Sequence, residues 1–273
     1  MTTIENPDQF IIPTGSTIKL GNISTKAADH YDKNRETAEA EFKKLRKELA
    51  DLQFKLYAEG KQKLLLVLQA LDAGGKDSTI RKVFRGVNPQ GVQVTSFKAP
   101  TKEELAHDYL WRVHHHVPAT GMIGVFNRSH YEDVLIVRVQ NFVSEEVWSK
   151  RFEHINQFEK LLADTGTKII KIYLHISKDE QKERLQARLD DPERNWKFES
   201  GDLKQRAKWD DYLVAFEDVF AKCSTEHAPW YVVPADNKWY RNLAISRILV
   251  NTLRQMDPQF PPAEEGLENI VID

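Results

Sequence analysis

One cysteine, Cys223, stands among 273 residues, so no intrachain disulfide is available and the chain suits a reducing compartment. Its setting, "EDVFAKCSTEHAPW", reads as a helix end where a thiol is a small packing residue and not a nucleophile. Long apolar runs are missing as well: none approaches the roughly 18 residues of a membrane span. The polar, acidic start "MTTIENPDQF" is unlike a secretory signal. Charge of one sign is also lacking. Thirty-nine basic against 41 acidic residues leave a formal net charge of −2, which excludes a global footprint for nucleic acid. Any polyanion site must then be a local concentration of lysine and arginine. The expectation is a cytoplasmic protein with neither a nucleic-acid nor a membrane partner.

What is present is a core-forming composition, 41% hydrophobic, with neither internal repeats nor low-complexity segments. Residues up to about Asp32 are irregular, with Pro13, Gly15 and Gly21. From Asn34 to Glu59, Phe42, Leu45, Leu49, Leu52 and Leu56 recur at helical spacing on a charged helix that stops at Gly60. That helix packs either on its own core or on another subunit. Strands and helices then alternate. The strands are "KLLLVLQAL", "VQVTSF" (Val92 to Phe97), "MIGVFN" (Met122 to Asn127), "TKIIKIYLHI" (Thr167 to Ile176) and "WYVVPA" (Trp230 to Ala235). The intervening stretches, among them "KEELAHDYLWRVHHH" and "SEEVWSKRFEHINQFEKLLADTG", read as helices. Near-continuous apolar strands separated by helices predict an α/β fold: a parallel sheet of about five strands covered on both faces. The expected divisions are an N-terminal segment and charged helix over 1–60, a main α/β domain over 61–257 with a lid at about 184–215, and a tail over 258–273.

Four stretches carry chemistry. "LLLVLQALDAGGKDST", Leu64 to Thr79, runs a strand into two glycines, a lysine and hydroxyls. The common nucleotide fingerprint G-x-x-x-x-G-K-[ST] would need glycine at Ala70 and a hydroxyl at Asp77. Gly74 and Gly75 still let the backbone approach an anion, and Lys76 adds a point charge. The helix that follows, "KDSTIRKVFRG", carries Lys76, Thr79, Arg81, Lys82 and Arg85 within three turns, which suits a long polyanion better than one triphosphate. "GMIGVFNRSHYEDVL" puts Asn127 and Arg128 at a strand's carboxyl end, where ligands of parallel sheets bind. "ERLQARLDDPERNWKFESGDLKQR" sets Arg184, Arg188, Arg194, Lys197, Lys204 and Arg206 around Asp191-Pro192, either as a mobile lid or as a salt-bridged surface helix. His114, His115 and His116 point in different directions on a helix and complete no zinc site.

Together "LDAGGKDSTIRKV", "GVFNRSHYEDVL", "RLDDPERNWKF" and "KWDDY" resemble the second family of polyphosphate kinases, in order and over about Leu64 to Lys238. The resemblance implies a P-loop kinase-like fold and reversible, magnesium-dependent phosphoryl transfer between inorganic polyphosphate and a nucleotide, with Mn2+ as a substitute ion. It implies that Asp72 holds the metal and orients the acceptor. Ala73, Gly74, Gly75, Lys76, Asp77, Ser78 and Thr79 would cradle phosphate, and Lys82 and Arg85 would line the polyphosphate path. Arg128 and Arg188 would bind the phosphates in flight, while Lys98, Thr101, Arg188 and Lys197 would face the nucleotide.

Asn127 departs from the pattern: many members have aspartate there as a second metal carboxylate, and asparagine keeps an oxygen ligand for the metal beside Asp72 but loses a charge, so metal affinity should fall. Asn127 fits a variant of one subclass compensated by Glu132 or Asp133, a device for discriminating nucleotides, or an introduced substitution. "FNRSHYEDV" looks closest to members that convert AMP to ADP and ADP to ATP, and the resemblance implies a homo-oligomer, dimer or tetramer. Two rivals stand beside this reading: an ATP-dependent nucleotide kinase of the same fold, and a non-catalytic polyphosphate- or nucleotide-binding protein.

Overall fold

Leu64 to Leu68, the aliphatic run before the loop, have no exposed surface, because strands flank them on both sides and helices cover both faces. They belong to a computed structural model that describes residues 6–267, 270 and 272. The strands are β1 (Lys63–Gln69), β2 (Val92–Ser96), β3 (Ile123–Asn127), β4 (Thr167–His175) and β5 (Trp230–Pro234). All pair in parallel, in the order β2-β3-β1-β4-β5. The helices are α1 (Arg35–Glu59), α2 (Lys76–Val83), α3 (Lys102–Leu105), α4 (Trp111–His114), α5 (Ile136–Val139), α6 (Glu145–Asp164), α7 (Lys178–Asp190), α8 (Ser200–Ala207), α9 (Trp209–Cys223) and α10 (Lys238–Met256). The α/β fold with a five-stranded parallel sheet is the one expected. No helix among the described residues is long and apolar enough to cross a membrane.

Register does the work of assembling the site. Leu68 of β1 lies opposite Asn127 of β3, so the loop after β1 and the turn after β3 leave the sheet side by side. The Arg128 amide donates to the Leu68 carbonyl at 3.0 Å and extends that pairing by one residue. At the far side of the sheet β2 is an edge strand, with Gln93, Val94 and Ser96 exposed.

Two expectations change. "KEELAHDYLWRVHHH" is not one helix but two short ones, α3 and α4. Asp108 breaks it: its carboxylate accepts from the Leu110 and Trp111 amides at 2.9 and 3.1 Å, a local bond that competes with helix continuation. The N-terminal stretch, although irregular, packs into the main core. Ile12 donates to the Trp230 carbonyl at 2.8 Å, and Phe10, Ile12 and Leu20 are buried. Between the two placements open to the charged helix, the structure decides: α1 lies along α10 of its own chain. Asn34 caps it, Gly60 ends it in the left-handed conformation, and Arg247 and Arg254 reach Glu41 and Glu48 as two-pronged pairs. Of the expected tail over 258–273, residues 258–267, 270 and 272 are described. Cys223 is fully buried and burial pushes its thiol up to about 12, which leaves it unreactive.

Candidate active site

The loop Ala70–Gly75 turns because its backbone is held in conformations that few residues adopt. Ala73 has φ +60° and Gly75 φ +101°. A Cβ on Gly74 would lie 2.5 Å from the Ala70 Cβ, and one on Gly75 would overlap the Arg241 guanidinium. Arg128, across the crevice, is also left-handed at φ +63°. Two of the four left-handed non-glycine residues among the described residues, Ala73 and Arg128, thus face each other across this crevice. Substituting Gly75 therefore has a sharp expectation. Gly75→Ala should destabilise the chain by about 1–3 kcal/mol and lower phosphotransfer at least about tenfold. Gly86→Ala, at φ +98° with open space around it, is the control and should leave activity unchanged. Thermal midpoints and initial rates on both variants check this.

Asp72 and Arg128 meet in the crevice: Arg128 Nη2 donates to Asp72 Oδ1 at 2.7 Å, and Glu132 flanks the same guanidinium at 3.5 Å. Glu132 first, and Asp72 after it, hold Arg128 firmly protonated. Lys76 is buried and donates from Nζ to the Ala70 carbonyl at 2.8 Å. Burial pushes its ammonium down to about 8, and neighbouring Arg128 adds to that, while Asp72 and Glu132 oppose it. Two cations, Lys76 and Arg128, thus face two acids, Asp72 and Glu132, across the crevice.

Asn127 pairs differently from what the sequence implied. Its amide nitrogen donates to Asp77 Oδ1 at 2.8 Å and lies 3.4 Å from Ser96 Oγ, so the donor half of the amide has a use that aspartate would lack. Aspartate at 127 would set two carboxylates against each other. Asn127 and Asp77 are thus complementary, which favours a variant with its own local partner. Of the two acids expected to compensate, Glu132 faces the crevice through Arg128, whereas Asp133 is turned away to Arg151 at 2.8 Å and cannot serve. Burial raises the Asp133 carboxyl to about 6.

The remaining residues sort by exposure. Lys82, in the last turn of α2, and Arg85, just beyond its end, are exposed and continue the basic surface from the loop. Ser78 Oγ donates to the Gly75 carbonyl at 2.9 Å and braces the loop from within. Thr79 is a correction: it is fully buried, because it faces the core side of the first turn of α2, and so does not present its hydroxyl to a phosphate. Thr101 is spent on capping α3, in a reciprocal pair with Glu104. Lys98 is exposed, and its carbonyl accepts from buried Arg112 at 2.9 Å, which fixes that loop. His114 and His115 are exposed, and no group of three or more candidate metal ligands forms among the described residues.

The stretch expected to form a lid is α7, a turn at Asp191-Pro192, a short helical turn over Asn195–Lys197, α8 and the start of α9. Arg188 pairs with Asp202 at 3.6 Å, within the lid itself. Lys197 reaches Asp77 Oδ2 at 3.5 Å, an exposed ion pair that holds the lid to the loop only weakly. Arg184 overturns its expected place among the lid arginines. It is buried, and its guanidinium donates to the carbonyls of Ala73, Gly74, Ala235 and Asp236 at 2.6–3.1 Å, as well as to Glu180 at 2.6 Å. This is a structural clamp on the phosphate loop. Gln181 adds a bond to the Asp72 carbonyl at 2.8 Å. Nothing in the local spacing of "ERLQAR" separates Arg184 from Arg188, since only the packing of α7 against the loop distinguishes them. A separate cleft of about 380 Å³, lined by Leu20, Thr25, His175, Trp209 and Leu213, shares no residue with the loop.

Comparison with known proteins bears on this arrangement. The model of the polyphosphate kinase 2 family matches residues 32–261. The chain belongs to that family. It is 59% identical to the AMP/ADP-polyphosphate phosphotransferase of Meiothermus ruber over 84% of this chain and 86% of that protein. It is 43% identical to the ADP-polyphosphate phosphotransferase of Rhodopseudomonas palustris over 93% and 91%. The crystal structure of polyphosphate kinase 2 from Arthrobacter aurescens superimposes with a TM-score of 0.93 at 44% identity, covering 98% of this chain and 96% of that one. Family membership thus reaches beyond the loop to the lid and the helices behind it. The departure of the loop from the ATP fingerprint at Ala70 and Asp77 is the form in which this polyphosphate kinase 2 chain carries it.

Proposed function

We propose that this chain transfers the terminal phosphoryl group of inorganic polyphosphate to AMP and to ADP, reversibly, forming ADP and ATP. The observation that carries the reading is the convergence of Asp72, Lys76 and Arg128 on one strained loop at the carboxyl edge of the sheet. Phosphoryl transfer asks a protein for positioning and charge neutralisation more than for covalent chemistry. The loop amides and Lys76 hold the donor's terminal phosphates, and Lys82 and Arg85 carry the rest of the chain along α2 and past its end. Arg128 stabilises charge on the phosphoryl group in transit, and Asp72 aligns the acceptor phosphate for in-line attack. Lid closure brings Arg188 and Lys197 over the nucleotide and excludes water, the competing acceptor.

The donor set suits a hard divalent cation. Such an ion takes oxygen ligands, and magnesium is usually bound by one or two carboxylates with substrate phosphates and water supplying the rest. Asp72 would hold it, with the Asn127 amide oxygen beside it, and the ion when bound neutralises phosphate charge; Mn2+ meets the same oxygen preference. Assembly into two or four copies belongs to the same proposal. Half-exposed Val94 on the open edge strand β2 is apolar surface that such assembly would cover.

The test is turnover with purified protein, magnesium and long-chain polyphosphate as sole phosphoryl donor. ATP from ADP and ADP from AMP are both expected. Product from ADP alone would remove the dual acceptor range. Product only when ATP replaces polyphosphate as donor would sink the reading in favour of an ordinary nucleotide kinase.

A further inference from the structure

Behind the phosphate loop lies a guanidinium that the chemistry above does not use. Arg241 is 1% exposed, in the first turn of α10, a helix that packs against α2. Its Nη2 donates to Ser78 Oγ at 3.2 Å and to Asn242 Oδ1 at 2.8 Å, and its Nε to the same Asn242 oxygen at 3.2 Å. Its Nη1 stands where a side chain on Gly75 would be and has no hydrogen-bond partner among the described residues. Every partner it does have is neutral.

Three conditions oppose a charge at this place. Burial strips its hydration without supplying a carboxylate in return. The first turn of α10 contains no acid, and the positive end of the helix dipole repels a cation there. Arg184, buried close by, carries the same sign. Burial first, and Arg184 second, push the Arg241 guanidinium down to about 9. A cation kept where three separate effects disfavour it needs a compensating anion, and only the thin Gly75 backbone separates it from the loop that would receive one.

We propose that Arg241 is a positioning residue for the polyphosphate donor: its charge sits behind Gly75, tethered to Ser78, and is compensated when a phosphate chain occupies the loop. This rests on the reading of the loop as a polyphosphate site. It explains why glycine is required at 75 independently of φ, since any side chain there would displace the guanidinium. It also makes the site electrostatically costly when empty, so that donor binding and loop order are linked.

The experiment separates this proposal from the reading beneath it. Inorganic tripolyphosphate, without nucleotide, is the probe, and the thermal midpoint is the readout. A rise is expected for the wild-type chain, and no rise would overturn the polyphosphate reading of the loop itself. Arg241→Met should keep an unliganded midpoint at or above wild type, because it removes an uncompensated buried charge. Its tripolyphosphate-induced rise should fall by about half or more, and its KM for polyphosphate should increase about tenfold, equivalent to about 1.4 kcal/mol. The KM for ADP should stay within about twofold, which a purely structural lesion in the core would not spare. If the methionine variant does not fold, Arg241→Lys and Arg241→Gln make the same comparison: the lysine keeps most of the tripolyphosphate rise and the glutamine loses it. A neutral variant that matches wild type in both the rise and the polyphosphate KM overturns the proposal.

Discussion

Asp72→Ala is expected to lower polyphosphate-dependent formation of ATP by about 10³-fold or more while the chain remains folded. The side chain is nearly covered, at 12% exposure, yet among the described residues its one side-chain bond is that from Arg128 at 2.7 Å. Its removal leaves no cavity in the core, and Arg128 keeps Glu132 as a partner at 3.5 Å, so the thermal midpoint should move little. What disappears is the carboxylate proposed to align the acceptor and to hold the metal. Asp72→Asn refines the reading: it keeps the shape and an acceptor oxygen for Arg128 but loses the charge, and should remain strongly impaired. Normal rates in the alanine variant would remove Asp72 from the mechanism. Circular dichroism and the thermal midpoint show whether a low rate reflects chemistry or unfolding.

The largest effect on stability is expected from a residue with no place in the chemistry. Glu159 and Lys171 are both fully buried and joined at 2.6 Å between α6 and β4. Lys171 also donates to Tyr131 Oη at 2.8 Å and to the Cys223 carbonyl at 2.6 Å, and Tyr131 in turn donates to Glu159 at 2.9 Å. Glu159→Ala strands the ammonium without its counter-ion and should cost about 3–5 kcal/mol. For a chain of this size that is a fall in midpoint of about 10 °C. The double change Glu159→Leu with Lys171→Met removes both charges together and should recover most of the loss, because desolvation of the pair offsets much of its attraction. Equal instability in the single and double variants would show that packing, and not charge, sets the cost.

Acid adds an independent check. Burial alone would raise the Glu159 carboxyl, but Lys171 and then His130 outweigh it and hold its pKa below the ordinary value. A depressed folded pKa contributes stability that is present above the unfolded carboxylate range, about pH 4.3. That contribution is lost as pH falls through the lower, folded value. Urea midpoints measured from neutral pH downward should therefore drop less steeply for the double variant than for wild type. The network also backs the turn that presents Arg128, since Ser129, His130 and Tyr131 follow it directly and are buried. Glu159→Ala should for that reason lower activity as well as stability.

Much of this molecule is legible along the chain because the relevant information is local. Aliphatic runs of strand length between helical stretches require a parallel sheet covered on both faces. The glycines at 74 and 75, the lysine after them and the Asn127-Arg128 strand end carry the family's motifs in order. Cys223 as a packing residue and the ends of α1 at Asn34 and Gly60 were equally local matters, settled by composition and capping chemistry.

Partner choice was not local. Arg184 and Arg188 are both arginines on α7, one turn apart, yet one clamps carbonyls 110 and 111 residues away and the other pairs within the lid. Asn127 reads as a weakened metal ligand until its nitrogen is found on Asp77, 50 residues earlier. Thr79 reads as a phosphate contact until the helix turns it into the core. Arg241, in the last helix, shows no motif at all and comes to lie behind Gly75 only because α10 packs on α2. Periodicity tells which face of an element is buried, whereas the register between β1 and β3 and the packing of α7 and α10 decide which charges share that burial. In a medium that strips hydration, that choice of neighbours separates a structural clamp from a group that handles phosphate.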